Sequence, residues 1–374
     1  MKQYSSANIK VFFIGLIIGI VIYPILFQFN TILKEIEAIH GSNGIAVATK
    51  EDAPHKEVTL IVENATVELQ PHHPRVGVWT FNGTVPGPTL RFTEGDNVTI
   101  QLINKSPMAH TLHLHADHGA LADGEFELVL PNKSYTYNFI ASPAGAFPYH
   151  CHAMPTSLHM RMGLYGMMII DPKVPLPPAR EYGIVMGSYS SVTDYQKPGV
   201  IQPRYYLNNG YFDQYMGNNY LPVRQNELVR LYVVNDATLD MPFHMHSQIF
   251  KTYPSGLLSN TPEDRQTVLI APGDASIIEI RYPSPGSYLF HIHDDNNGDM
   301  GCFYVIPSTN IVGEANTPIC RVYVPNSELS QPSHTETVPV PALTPVTAKS
   351  ISMIDWQYQL QKKLQKPIVV TSNR

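Results

Sequence analysis

The sequence is short of charge, of cysteine and of long apolar runs, and each shortage excludes something. Only 15% of the 374 residues are charged, and 25 Lys and Arg against 31 Asp and Glu leave a net charge of -6. No stretch gathers the basic side chains that a phosphate backbone requires, which argues against nucleic acid as a partner. There are three cysteines, Cys151, Cys302 and Cys320, too few for a disulfide-stapled scaffold; Cys302 and Cys320 are free either to pair in an oxidising compartment or to stay thiols. Just one long apolar run occurs, residues 11–27, uncharged and preceded by Lys2 and Lys10. That run has the minimum length for a bilayer, and the lysines ahead of it favour an N-in orientation. Residues 1–30 are therefore expected to form an N-terminal membrane-anchor helix, a cleaved signal being the alternative, with 31–55 as linker and everything beyond extracytoplasmic.

What the chain has in quantity is 32 Pro, 24 Gly and 21 Tyr, the signature of many short strands joined by tight turns. The expected fold is all-β, and the length suits two domains. A repeat supports that division. Asn82-Gly83, Pro86-Gly87-Pro88, Gly95-Asp96 and an alternating run over 97–104 return as Asn209-Gly210, Leu221-Pro222-Val223, Asn226-Glu227 and a second run over 228–235. We place domain 1 at 56–172 and domain 2 at 181–307, both Greek-key β-sandwiches, with the proline-rich segment 173–180 between them. The Pro/Ser/Thr-rich tail 308–374 is assigned no chemistry.

Histidine carries the functional signal. Sixteen histidines in 374 residues would produce roughly 0.7 His-x-His pairs by chance. Four are present: His113/His115, His150/His152, His244/His246 and His291/His293. On a strand, residues i and i+2 share a face, so each pair presents two imidazoles side by side. Imidazole suits copper, zinc, iron and nickel, and no cysteine pattern of structural zinc accompanies these pairs. Around the second pair, His110, Cys151 and His159 add two imidazoles and a thiolate, the ligand set of a blue-copper electron-transfer site.

Together these residues resemble the multicopper oxidase family, and within it the two-domain, laccase-like oxidases whose blue copper lies in the first domain, relatives of the copper nitrite reductases. The resemblance rests on Asn82-Gly83, Pro86-Gly87-Pro88 and Gly95-Asp96, on His110-Thr-Leu-His113-Leu-His115, and on His150-Cys151-His152. It implies tandem cupredoxin-like domains and four coppers per subunit. The type 1 copper would sit at His110, Cys151 and His159, with Leu164 as a non-ligating axial neighbour where a Met often stands, unless Met160 or Met162 takes its place. Type 2 copper would take His113 and His244, and the type 3 pair His115, His150, His152, His246, His291 and His293. The family closes the cluster between domain 1 of one subunit and domain 2 of the next, so a homotrimer is implied.

The activity implied is that of a copper-dependent oxidoreductase: one-electron oxidation of a donor at the type 1 site, coupled to reduction of dioxygen to water at the three-copper cluster. Asp123 and Asp294 are candidate proton relays; either is also an ordinary turn aspartate. The donor is expected to approach the exposed edge of His159. Met154, Met160, Met162, Met167 and Met168 stand nearby as soft ligands for Cu(I) or as core filling. The rival enzyme is a copper nitrite reductase or a nitric-oxide-converting enzyme; members of that group place an aspartate at the position of His113 and lack the histidine at 152. A copper-storing or electron-relay protein needs only His110, Cys151 and His159 and leaves eight histidines unexplained.

Overall fold

In a computed structural model of the chain, the residues described are 54–70, 73–124, 127–197, 203–293 and 300–307. The expected anchor (1–30), nearly all of the linker, Asp294, Cys320 and the tail lie outside them. Among the described residues no helix is long and apolar enough to cross a membrane.

The described chain is almost wholly β. Its first eight strands are β1 (His55–Val67), β2 (Val76–Phe81), β3 (Leu90–Thr93), β4 (Asn97–Asn104), β5 (His113–Leu114), β6 (Ser134–Ile140), β7 (Gly145–His150) and β8 (Tyr165–Asp171). They form two four-stranded sheets, ordered β2-β1-β4-β6 and β3-β8-β7-β5. Leu60, Val62 and Ile100 from one sheet meet Phe92, Tyr149 and Met168 from the other in a single core, so this half is a sandwich.

The next eleven strands are β9 (Arg180–Tyr189), β10 (Tyr205–Asn208), β11 (Leu221–Arg224), β12 (Val229–Asn235), β13 (Met241–Met245), β14 (Phe250–Pro254), β15 (Glu263–Arg265), β16 (Thr267–Ile270), β17 (Ala275–Ile280), β18 (Gly286–Ile292) and β19 (Met300–Ile306). They make sheets ordered β10-β9-β12-β17-β14-β15 and β11-β19-β18-β13-β16, again around one core. Among the described residues two short α-helices interrupt the strands, α1 (Thr156–Arg161) and α2 (Val192–Tyr195), with two 3-10 turns at Ala120–Ala122 and Gly217–Asn219.

The sandwiches stack, and the sequence pattern of individual strands follows from that. Asn97-Val-Thr-Ile-Gln-Leu-Ile-Asn104 alternates, with Val98, Ile100 and Leu102 inside and its other face more open, as a sheet covered on one face only requires; the strand runs parallel to β1 and antiparallel to β6. β7, β8 and β12 are instead buried along nearly their whole length. In β8, Met168 and Ile170 face the first core, while Tyr165, Met167 and Ile169 face Val185, Tyr232, Val234 and Ile277 of the second sandwich. A strand covered on both faces has no polar side, so its sequence loses the alternation.

The sequence repeat is reproduced bond for bond. Asn82, in the left-handed region (φ 57), accepts the Ile61 N–H at 2.6 Å and donates to the Thr59 carbonyl at 3.1 Å. Asn209 (φ 49) accepts the Val185 N–H at 2.6 Å and donates to Gly183 at 2.8 Å. At the end of each alternating run, Asn104 donates to the carbonyls of Met108 and Val129, and Asn235 to those of Leu239 and Ile270. Asparagine is suited to these sites because its amide mimics a peptide group and tolerates positive φ.

Candidate metal centres

Three elements converge on Cys151. His110 precedes β5 and is bridged to Val129, Cys151 directly follows β7, and His159 lies on α1. Gly163, at φ 113, terminates the helix just beyond its cap at Met162, a backbone conformation that favours glycine. The chain then turns so that the Leu164 carbonyl accepts the Cys151 N–H at 3.0 Å. Nδ1 of His110 lies 3.6 Å and Nδ1 of His159 3.2 Å from Cys151 Sγ, and the two nitrogens are 3.2 Å apart. Nitrogen and sulfur ligands about 2.0–2.3 Å from one ion, at trigonal to tetrahedral angles, stand about 3.3–3.7 Å from each other. The donor set therefore fits a metal ion, and its softness fits copper.

The eight remaining imidazoles form two groups of four. Strand register makes the first contacts: His113 pairs with His150 across β5 and β7, and His244 with His291 across β13 and β18. Residues directly opposed in an antiparallel pair bring their side chains together. His115 Nε2 lies 3.0 Å from His150 Nε2, and His291 Nε2 3.2 Å from His246 Nε2. His152 joins the first group 5.0 Å from His113, ring centre to ring centre, and His293 joins the second 5.4 Å from His244. His113, His115 and His150 could hold one ion, and so could His244, His246 and His291. Among the described residues no ring contact runs from one group to the other.

Hydrogen bonds at the back of the rings leave Nε2 free to bind. His150 and His291 direct Nδ1 to the carbonyls of Cys151 and Ile292, at 3.1 and 3.0 Å. His113 Nδ1 stands 3.2 Å from Asp123 Oδ1, and His244 Nδ1 is 2.8 Å from both the Gln266 carbonyl and Thr267 Oγ1. Such outer contacts fix tautomer and ring orientation. Burial also keeps the rings neutral. It draws the pKa of His159 down to about 3; burial, with His115 alongside, takes His150 to about 3; burial, with His113 alongside, takes His115 to about 4. A neutral imidazole keeps the lone pair a metal needs. Burial has the opposite consequence for Cys151, whose thiol is pushed up to about 11; a bound cation would have to displace that proton.

Known proteins show the same organisation. Two sequence-family profiles, both described as multicopper oxidase, match residues 62–175 and 188–310. A solved structure described as a multicopper oxidase superposes with a TM-score of 0.63 at 33% identity, covering 68% of this chain and 90% of that one. The chain belongs to the multicopper oxidase family. Its relatives within and around that family differ in activity. The copper-containing nitrite reductase of Neisseria gonorrhoeae is 32% identical over 60% of this chain, and Laccase-15 of Oryza sativa subsp. japonica is 27% identical over 66% of it. The chain spans 62% of the length of that reductase and 45% of that laccase.

Membership of the multicopper oxidase family accords with a first sandwich that holds the blue-copper donor set and a second that lacks it. Aligning the halves on Asn104 and Asn235 sets His113 and His115 beside His244 and His246, but His110 beside Met241; aligning His150 and His152 on His291 and His293 sets Cys151 beside Ile292. That asymmetry was readable in the sequence once the repeat was aligned.

Other features were not. Thr111 clamps the site: its N–H points to Cys151 Sγ at 3.4 Å, and its Oγ1 accepts the His152 N–H at 2.9 Å. His118 adds a fifth ring 6.0 Å from His113. Of the five methionines, Met154 is exposed, Met160 is buried on α1, Met162 and Met168 lie in the first core and Met167 lies between the sandwiches. Leu164 is buried in the same core cluster as Cys151, as is Met162. Cys302 is disulfide-bonded, whereas Cys151 is a free thiol. The expected exposed edge of His159 is absent: the residue is 0% exposed, with Trp79 packed against its ring.

Proposed function

We propose that this chain oxidises a one-electron donor at a type 1 copper held by His110, Cys151 and His159, and reduces dioxygen to water at a three-copper cluster. The observation that carries the reading is the pair of four-imidazole groups. A single catalytic copper needs three histidines, and only a larger cluster accounts for eight. Copper, when bound, supplies one-electron chemistry at the thiolate site and dioxygen reduction at the cluster, a reaction that takes up four electrons and four protons.

The chain's own residues perform the remaining tasks. Cys151 lies between His150 and His152, so the thiolate and adjacent peptide bonds connect the first site directly to cluster ligands. Type 2 copper is assigned to His113 and His244, and the type 3 pair to His115, His150, His152, His246, His291 and His293. Asp123 orients His113 through Nδ1 and is placed to pass protons there; Asp294 is proposed for the same task beside His293. Leu164, buried in the same core cluster as Cys151, would offer copper no donor and so would raise the potential of the type 1 site.

Because each group of four is half a cluster, we further propose that a ring of subunits, three by family resemblance, completes each site between neighbours. The assembly would face the extracytoplasmic space, tethered by residues 1–30.

Nitrite reduction is the second reading, favoured by the 32% identity to the Neisseria gonorrhoeae enzyme. Copper content, optical and EPR spectra and oxygen uptake separate the two. Four coppers per chain, an intense visible thiolate band, a near-ultraviolet type 3 feature and oxygen consumption are expected. Two coppers, no type 3 feature and nitrite-dependent turnover would establish the alternative.

A further inference from the structure

One large side chain at the Cys151 site has no part in the assignment above. Trp79, on β2, meets both imidazoles edge to face: its ring centre is 5.7 Å from that of His110 and 4.9 Å from that of His159, with interplanar angles of 73° and 65°. His110 and His159 aim Nδ1 at the sulfur, so their Nε2 atoms point away from it. Both Nε2 atoms are buried and lack a hydrogen-bond partner. Where a ligand imidazole ordinarily finds water, a carbonyl or a carboxylate for its second nitrogen, these two rings have an indole beside them.

Trp79 is also held by the ligand loop itself. Its backbone N–H donates to the Met162 carbonyl at 2.8 Å, and a Cβ on Gly163 would come within 2.7 Å of the Trp79 carbonyl oxygen. Trp79 is 8% exposed, while His110 and His159 are 0%. Of the three rings, the tryptophan is the outermost.

We propose that Trp79 is the shield of the type 1 site and determines which donors can reduce it. It keeps water and ligating donors off His159, which leaves outer-sphere one-electron reductants acting across the indole as the usable class. The step is the passage of one electron from the reductant to bound Cu(II), giving Cu(I) and the one-electron-oxidised reductant, with no bond or proton moved. This inference rests on the assignment of His110, Cys151 and His159 to type 1 copper.

Shielding makes two predictions of opposite tendency. Replacing Trp79 by Leu admits water, which stabilises Cu(II) and lowers the reduction potential. A lower potential by itself slows reduction. Loss of the shield shortens the approach to His159 and speeds it. The test is a redox titration of the visible thiolate band, together with anaerobic stopped-flow reduction of that band by hexacyanoferrate(II), on copper-loaded full-length protein. Trp79→Leu is expected to show a lower potential and yet a second-order rate constant raised at least about tenfold, a barrier lowered by roughly 1.4 kcal/mol. A fall in both potential and rate, or no change in either, would overturn the proposal. Should Trp79→Leu fail to hold copper, Trp79→Phe, which removes only the second ring, is expected to change both quantities in the same directions by less. If the unsubstituted protein shows no thiolate band when loaded with copper, the type 1 assignment itself fails, an outcome separate from an unchanged rate.

Discussion

If each cluster is built between neighbouring subunits, two inactive variants should restore each other. One chain would carry His113→Ala and His115→Ala, which removes two of the first four imidazoles; the other would carry His244→Ala and His246→Ala, which removes two of the second four. An intact cluster then requires an intact first sandwich, from the second variant, facing an intact second sandwich, from the first. In a ring assembled at random from equal amounts, each of these occurs at about half of the positions, so about one quarter of the clusters are whole, for any ring size. The separation of the two groups in the fold makes this arithmetic possible, because rings within a group are 5.0–5.7 Å apart and no ring contact links the groups among the described residues. Oxygen uptake by the co-expressed pair, normalised to type 1 copper from the visible band, should reach about 25% of the unsubstituted value. Each variant alone should show none. If the pair forms mixed oligomers that carry type 1 copper and yet is as inactive as either parent, the shared-cluster reasoning is refuted.

Three further outcomes are expected. Asp236 is 0% exposed, neither carboxylate oxygen has a hydrogen-bond partner, and burial raises its pKa well above the usual carboxylate range. The folded chain therefore keeps a proton that the unfolded chain releases above pH ~4, and stability falls as pH rises toward the folded pKa by at most about 1.4 kcal/mol per unit. Asp236→Asn should remove that slope, so urea unfolding of variant and parent should diverge with rising pH, the variant becoming the more stable; parallel pH profiles would contradict this. Thr111→Val, close in volume, leaves the His152 N–H without its 2.9 Å acceptor and should cost about 1–3 kcal/mol in denaturant unfolding of the apoprotein, while Thr111→Ser should recover most of it. Gly124→Ala would set a Cβ 1.9 Å from the Leu112 carbonyl oxygen, against backbone that cannot rotate away. It should destabilise by about 1–3 kcal/mol and, by displacing Asp123 from His113, reduce type 2 copper measured by EPR more than type 1; equal retention of both would count against that placement.

Much of the site was legible because strand geometry is local. The first histidine of each His-x-His pair lies on a strand and the second just past its end, yet the two rings stay 5.0–5.7 Å apart, as the two-residue period of extended backbone leads one to expect; the four pairs occur where Asn82 and Asn209, then Asn104 and Asn235, mark equivalent places in two halves. The association of His110 with Cys151 and His159 was also readable, since their ligand types have few other joint uses. Burial was not legible. Lys105 and Asp236 are equivalent in the repeat, and each donates its N–H to the neighbouring strand, to Val62 and Met186. Lys105 is exposed, whereas Asp236 is fully buried. No local feature of either run announces that difference.

By itself, then, the sequence determined the ligand types, their grouping into pairs and the repeat that distributes them over two sandwiches, because these follow from backbone periodicity within a few residues. Only the tertiary structure decided that His113 stands opposite His150 and His244 opposite His291, that Thr111 ties Cys151 to His152, and that Trp79 rather than solvent covers His159. Those contacts join residues tens of positions apart. They depend on strand register and on how sheets stack, which are set by the packing of whole faces and not by any one segment.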